Sequence, residues 1–257
     1  MKILKFKLSG DHAFFKKPDV NTYYYFTYGH IHKIALLGIF GAIMGYGGYS
    51  QQKDKDVYPE FYEKLKHIKV GIQPYKHGQA HNGYFTKKIQ TFNNTVGYAN
   101  TDGNLIVKEQ WLENPSWNIY MIIEGETADK LCKSIINSHS VFVPYLGKND
   151  HMANISEIQI LEGESIKLSE PIIINSLYLK DHFNMSIEDI NDLWSSDYNP
   201  DSNYRYEEKL PAELDEETNQ YIIRYFVYTN KKVELKEDVN ESQIDVLKCC
   251  GSNIYFF

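Results

Sequence analysis

Lysines at positions 5 and 7 alternate with Leu4, Phe6 and Leu8 at the start of the chain. Period two belongs to a strand with one face buried, so a first strand is expected over Ile3–Leu8. The pattern lapses through a basic loop, SGDHAFFKKPDVNT, and an aromatic run, YYYFTY. It resumes in HIHKIALLGIFGAIMGYGGYS, residues 30–50, where Ile34, Leu37, Ile39, Phe40, Ile43 and Met44 surround a helix on all sides. A helix that is apolar all round is buried. Gly38, Gly41 and Gly45 fall three and four apart, a stripe that admits a neighbouring backbone. Each glycine costs about 1 kcal/mol of helix propensity, which packing must offset.

Other readings of this stretch fail on chemistry. The uninterrupted apolar run from Ile34 to Met44 is about half of the ~20 residues that span a bilayer. A phosphate loop needs lysine and Ser/Thr directly after its last glycine, and Gly48 is followed by Tyr-Ser-Gln. His30 and His32 have no acid or cysteine nearby to complete a metal set. A buried helix over residues 33–45 remains, with GYGGY as its flexible exit.

Further on, EFYEKLKHI after Pro59 predicts a short helix, and Lys69–Tyr75 a strand. TFNNTVGYAN, the turn NTDGN and LIVKEQW predict a long hairpin arm at about residues 77–111. Trp117–Ile123 reads as a core strand, and Glu126–Asn137 as a helix through Ala128, Leu131, Ile135 and Ile136. Val141–Val143 is expected to start a strand that breaks at Pro144. Two successive strand–helix–strand units over residues 1–161 predict an α+β, ferredoxin-like domain with an inserted hairpin. Residues 162–257 are expected to form an acidic, β-rich C-terminal region. Its strands are expected at Glu170–Lys180 and Tyr221–Leu235, with a short helix at Ser186–Trp194 and an acidic loop at Ser195–Glu217.

Charge sharpens this picture. Residues 1–100 carry 14 Lys against 6 acids, a net +8, and residues 101–257 carry −15, so the chain has a basic front and an acidic back. Cys132, Cys249 and Cys250 form no metal pattern and suit a reducing cytoplasm. The opening residues lack the continuous apolar core of a signal peptide.

Motifs for enzymatic chemistry are absent: there is no Gly-x-Ser-x-Gly, His-Glu-x-x-His, Cys-x-x-Cys or dinucleotide fingerprint. The neighbours Asp11-His12 and Asp150-His151 are expected to lie on the solvated surface, since adjacent side chains diverge. His77 and His81, near Lys76, Lys87 and Lys88, are the candidates for a general base acting on a ribose 2′-hydroxyl, or else for phosphate contacts. The positive signal is a basic, aromatic first third: Lys16, Lys17, Tyr23, Tyr24, Tyr25, Lys33, Lys87 and Lys88. Lysines neutralise phosphates and aromatic faces stack on unpaired bases, which points to RNA.

Gly10, Ala13, Lys16-Lys17-Pro18, Thr27-Tyr28, and Gly38, Gly41-Ala42, Gly45 together resemble the amino-terminal signature of the CRISPR-associated Cas-five family. Pro144 to Lys148 resembles that family's Pro-Tyr-Leu-Gly-Lys element. His30-Ile31-His32, where many members carry Phe-Pro-Pro, is similar to one branch of the type I-B systems. The resemblance implies a modified RNA-recognition-motif fold with a hairpin thumb. It also implies a non-catalytic cytoplasmic subunit of a Cascade effector complex that caps the 5′ handle of crRNA. Its implied partners are the backbone and large subunits and, indirectly, target DNA, with no membrane, cofactor or metal. The RNA-binding set expected on these grounds is Lys16, Lys17, Tyr28, His32, Lys33, Lys87, Lys88, Trp111, Tyr145 and Lys148. Lys16, Lys17 and Lys33 would hold phosphates, Tyr145 and Lys148 would lie near the same nucleotides, and Trp111 would wedge beside a base. The rival expectation is a metal-independent endoribonuclease that processes precursor crRNA with a histidine in the 67–81 region.

Overall fold

The computed structural model describes residues 1–19, 22–75, 82–93, 106–186 and 203–257. Its first half runs β1 (Lys2–Ser9), β2 (His12–Ala13), β3 (Tyr24–Tyr25), α1 (Lys33–Met44), α2 (Glu60–Leu65) and β4 (Val70–Pro74). It continues through β5 (Lys87–Asn93), β6 (Ile106–Glu113), β7 (Ser116–Ile122), α3 (Gly125–Ile136) and β8 (Asn154–Glu162). The second half is a succession of strands: β9 (Glu164–Ser165), β10 (Ile172–Ile173), β11 (Tyr178–Leu179), β12 (Phe183–Met185), β13 (Arg205–Leu214), β14 (Tyr221–Thr229), β15 (Lys232–Leu235), β16 (Asp245–Cys249) and β17 (Ser252–Phe256). The architecture is mixed α+β and rich in sheet.

The central sheet has the order β4-β7-β1-β8, with every neighbouring pair antiparallel. Alternation in β1 sends Leu4, Phe6 and Leu8 to a core shared with α1 and α3, where the Phe6 and Phe40 rings meet edge-on at 6.3 Å. Ile3 faces the other way, onto Leu247, Ile254 and Phe256 of the β16–β17 hairpin. The sheet is thereby covered on both faces. Its β4 edge is closed by the chain end, through reciprocal bonds between the Val70 and Phe257 backbones at 3.1 Å each.

Helix α1 starts where the His32 side chain accepts from the Ala35 amide and ends at Gly45, at φ 77°. The glycine stripe divides into different roles. A side chain at Gly41 would meet Phe61 Cβ at 2.6 Å, so α2 packs directly on it, whereas nothing lies within 4 Å of such a side chain at Gly38. Gly45 supplies the left-handed turn that ends the helix.

Two expected elements differ. Val141–Val143 is not a strand: the Val141 and Phe142 amides donate to the Ile43 and Ala42 carbonyls at the end of α1, and the fourth strand of the sheet is β8. Unsatisfied helix-end carbonyls outcompeted local β propensity. The segment expected as an acidic loop contains β13, a ten-residue strand. Its acids alternate with Tyr206, Leu210, Ala212 and Leu214, which enter the main core. Pro211 is tolerated because the pairing with β14 shifts register between it and Glu213. The strand expected over Tyr221–Leu235 is split into β14 and β15, and that over Glu170–Lys180 into the two-residue β10 and β11. Residues 187–194 of the expected helix, and most of the expected arm TFNNTVGYAN with its turn NTDGN, lie outside the described residues; the described strand before them is Lys87–Asn93. No helix among the described residues is long and apolar enough to cross a membrane.

Candidate nucleic-acid interface

Strands β5 and β6 pair antiparallel, with Lys88 opposite Trp111, Gln90 opposite Glu109 and Phe92 opposite Val107. On the other edge of β6, His12 stands opposite Glu113 and Tyr25 opposite Glu109. Residues directly opposite one another share a face of a sheet. One face of this small sheet therefore carries His12, Tyr25, Lys88, Phe92, Glu109 and Trp111. The reverse carries Lys87, Lys108 and Leu112.

A tight loop from Tyr145 to Met152 closes over the first face. Its ends bridge, the Leu146 amide donates to the His151 carbonyl at 2.7 Å, and the Phe14 amide donates to the Leu146 carbonyl at 3.0 Å. Gly147, at φ 87°, is obligatory, since any side chain there would collide with the Phe14 carbonyl. The loop delivers Lys148 and His151 to Trp111. The Lys148 ammonium lies 5.2 Å from the Trp111 ring centroid and 4.8 Å from that of Phe92, and Lys88 lies 5.6 Å from Trp111. His151 meets the indole at 4.4 Å and His12 meets it at 5.5 Å, with the two imidazoles 5.8 Å apart. Glu109 Oε2 accepts from Trp111 Nε1 at 2.8 Å and from Lys148 Nζ at 2.9 Å. Lys16 sits beside this group with its ammonium 4.0 Å from the Tyr25 ring centroid. Burial holds the His151 imidazole below its ordinary pKa, and neither ring nitrogen has a hydrogen-bond partner among the described residues.

The reverse face is tied to the second half of the chain. Lys17 pairs with Glu208 of β13 at 2.9 Å and lies over Tyr28 at 5.1 Å. Glu208 also accepts from the Gly29 amide at 2.9 Å and from the Tyr206 hydroxyl at 2.5 Å. Lys87 lines the same cleft, where burial lowers its pKa.

The ten sequence-predicted residues thus separate. Lys16, Lys88, Trp111 and Lys148 gather on the first face, and Tyr145 is exposed at the start of the loop that carries Lys148. Lys17 and Lys87 face the other way. Lys33 lines a different cleft with Tyr58, Tyr62 and Phe257, and burial lowers its pKa to about 8. Tyr28 and His32 are buried away from this face, Tyr28 beneath Lys17 and His32 packed against Tyr28 and Phe15. His32 is the cap of α1 and its pKa is lowered to about 3 by burial. His30 accepts from Trp117 Nε1 at 3.1 Å through Nδ1, so its Nε2 donates to the Gly83 carbonyl at 2.7 Å. Both histidines of the His-Ile-His segment are parts of the scaffold. Sequence reading missed His12, His151, Glu109 and Phe92. Period-two spacing from Trp111 would have found Glu109, but His12 comes from β2 and His151 from a distant loop, with no signal in common.

No protein-family model matches the sequence, and no curated protein matches it. Among solved structures the chain is similar to a CRISPR protein from Archaeoglobus fulgidus, with a TM-score of 0.53 over 99% of both chains at 8% identity. It also aligns with a chain of a CRISPR RNA-guided surveillance complex over 91% of each, with a TM-score of 0.48 at 10% identity. A chain of a Type III-B Cmr-beta complex bound to cognate target RNA aligns over 95% of this chain and 91% of that one, with a TM-score of 0.44 at 9% identity. The first of these carries the likeness, which is one of fold.

Proposed function

We propose that this chain is a non-catalytic, RNA-binding subunit of a CRISPR effector complex. In the finer reading it is a Cas-five subunit of the type I-B kind that caps the 5′ handle of crRNA in the cytoplasm. It then contacts the backbone and large subunits, and target DNA only through them. The observation that carries the RNA-binding role is the β5–β6 face, where Lys16, Lys88 and Lys148 gather around Tyr25, Phe92 and Trp111. Cations set among aromatic rings are what a single strand needs, charge for its phosphates and flat faces for its bases. The sheet order β4-β7-β1-β8, with α1 and α3 in the crossovers, supports a ferredoxin-like domain in which the β5–β6 hairpin serves as thumb. Residues 162–257 then form a β-rich extension that braces the reverse side of the hairpin through Glu208. The similarity in fold to a CRISPR protein from Archaeoglobus fulgidus supports the same assignment.

The test is incubation of the purified protein with repeat-derived RNA in EDTA, followed by a mobility-shift assay and a denaturing gel. Binding with intact RNA is expected, weakening as salt rises.

The rival reading, a metal-independent endoribonuclease, needs an imidazole that can take a proton from a ribose 2′-hydroxyl. His77 and His81 lie outside the described residues, and His67 is exposed after α2. What favours this reading is a different pair, His12 and His151, whose rings are 5.8 Å apart beside Lys148. Cleavage at the handle boundary in EDTA would establish it and overturn the non-catalytic assignment.

A further inference from the structure

Glu109 is a carboxylate in the middle of a cationic, aromatic face, where it would repel a phosphate. Its side chain is only 13% exposed. Both of its protein donors, Trp111 Nε1 and Lys148 Nζ, converge on Oε2, leaving Oε1 as an acceptor without a hydrogen-bond donor among the described residues. Four ångströms beyond the indole stands a second group with unused hydrogen-bonding capacity. His151 is 4% exposed, meets Trp111 edge-on at 4.4 Å, and has two ring nitrogens without a partner among the described residues. Buried polar groups in folded proteins are nearly always satisfied, so an orphaned imidazole marks a place where something else supplies the bond. The two groups differ in kind: a carboxylate only accepts, whereas a neutral imidazole has one N–H to donate.

We propose that Glu109 and His151, around the Trp111 ring, form a subsite for one unpaired guanine of a bound RNA. This rests on the reading of the β5–β6 face as an RNA surface. Unpaired bases are recognised by stacking on aromatic rings and by hydrogen bonds to their edges. Guanine alone presents two adjacent N–H donors, N1–H and the N2 amine, which suit a carboxylate, and its O6 and N7 acceptors suit an imidazole N–H. Uracil places carbonyl oxygens on both sides of its single N–H and would meet Glu109 with like-signed atoms. Lys148 fits the same scheme. Without RNA it rests on Oε2 and across the indole. Trp111 is 8% exposed beneath Lys148 and Lys88; in this scheme phosphates draw both lysines away, freeing part of Oε2 and opening one side of the ring.

The experiment measures affinities of the intact protein for single-stranded RNA octamers: all uridine, alternating uridine–guanosine, and alternating uridine–inosine, which lacks the N2 amine. Wild type is expected to bind the guanosine octamer at least about tenfold more tightly than oligouridine, with inosine between. Glu109→Gln should bind oligouridine as well as or better than wild type and lose most of the guanosine preference, a ratio that a purely structural role would not change. His151→Phe, which keeps the packing, should halve the preference or more and serves if Glu109→Gln folds poorly by circular dichroism. Equal binding of all three octamers by wild type, or a preference that persists in both variants, overturns the guanine subsite. If Lys16→Ala still weakens every octamer in that case, the RNA face itself stands. No measurable binding of any octamer overturns both.

Discussion

Lys17, from the loop after β2, and Glu208, from β13, form an ion pair at 2.9 Å with both side chains largely out of solvent. Lys16, one residue earlier, instead projects over Tyr25. Pro18 biases Lys17 toward extended backbone, and successive extended residues point apart. The two lysines therefore serve different ends.

Replacing Lys16 by alanine is expected to weaken RNA binding and flatten the salt dependence by about 0.7 log units per log of salt, the share of one phosphate on a single strand. Lys17→Ala should leave that slope alone. It should lower stability by about 1–3 kcal/mol, since Glu208 loses a charged donor while still bonded to Gly29 and Tyr206. Filter binding across a salt series and urea unfolding separate the two. A slope unchanged by Lys16→Ala would place the RNA elsewhere.

Gly41→Leu is expected to cost about 1–3 kcal/mol, because the new side chain drives into Phe61. Gly38→Ala meets open space and should stabilise α1 by up to about 1 kcal/mol. Thermal melts of the two variants should shift in opposite directions.

Stability should fall as the pH drops below neutrality. The His32 pKa is lowered from 6.5 to about 3 in the folded chain, so between those values the unfolded state binds the proton and the folded state resists it. The contribution is fully present above about pH 6.5 and declines toward pH 3, by at most about 1.4 kcal/mol per unit. His151 and His182, both shifted downward by burial, act in the same sense. Urea midpoints measured from pH 7.5 to 4.5 test this. His32→Asn, which keeps a capping acceptor but does not titrate, should reduce the dependence.

Photo-cross-links from bound RNA are expected at Tyr145, Trp111 and neighbours of Lys16 and Lys148, and not at residues beyond Glu162. The second half is acidic, and its contact with the hairpin sheet, through Glu208, is on the reverse side. Several cross-links in β13 or β14 would contradict the assignment of faces.

Periodicity alone determined the elements whose signal is local: β1 from alternating lysines and α1 from an all-apolar run. The local chain also determined that Lys16 and Lys17 diverge, since proline restricts the residue before it. Tertiary structure decided the rest, because the deciding partners lie far away in sequence. Val141–Val143 has β propensity but serves the open carbonyls of α1. The acids of residues 205–214 read as a loop until β14 pairs with them and a shared core takes up the alternate side chains. His12 and His151 are each unremarkable beside an aspartate; the pairing of β2 with β6 sets the first against Trp111, and the Tyr145–Met152 loop, folded onto β6 around a glycine that admits no side chain, sets the second there. Periodicity records which face of an element is buried; it carries no record of what arrives to bury it.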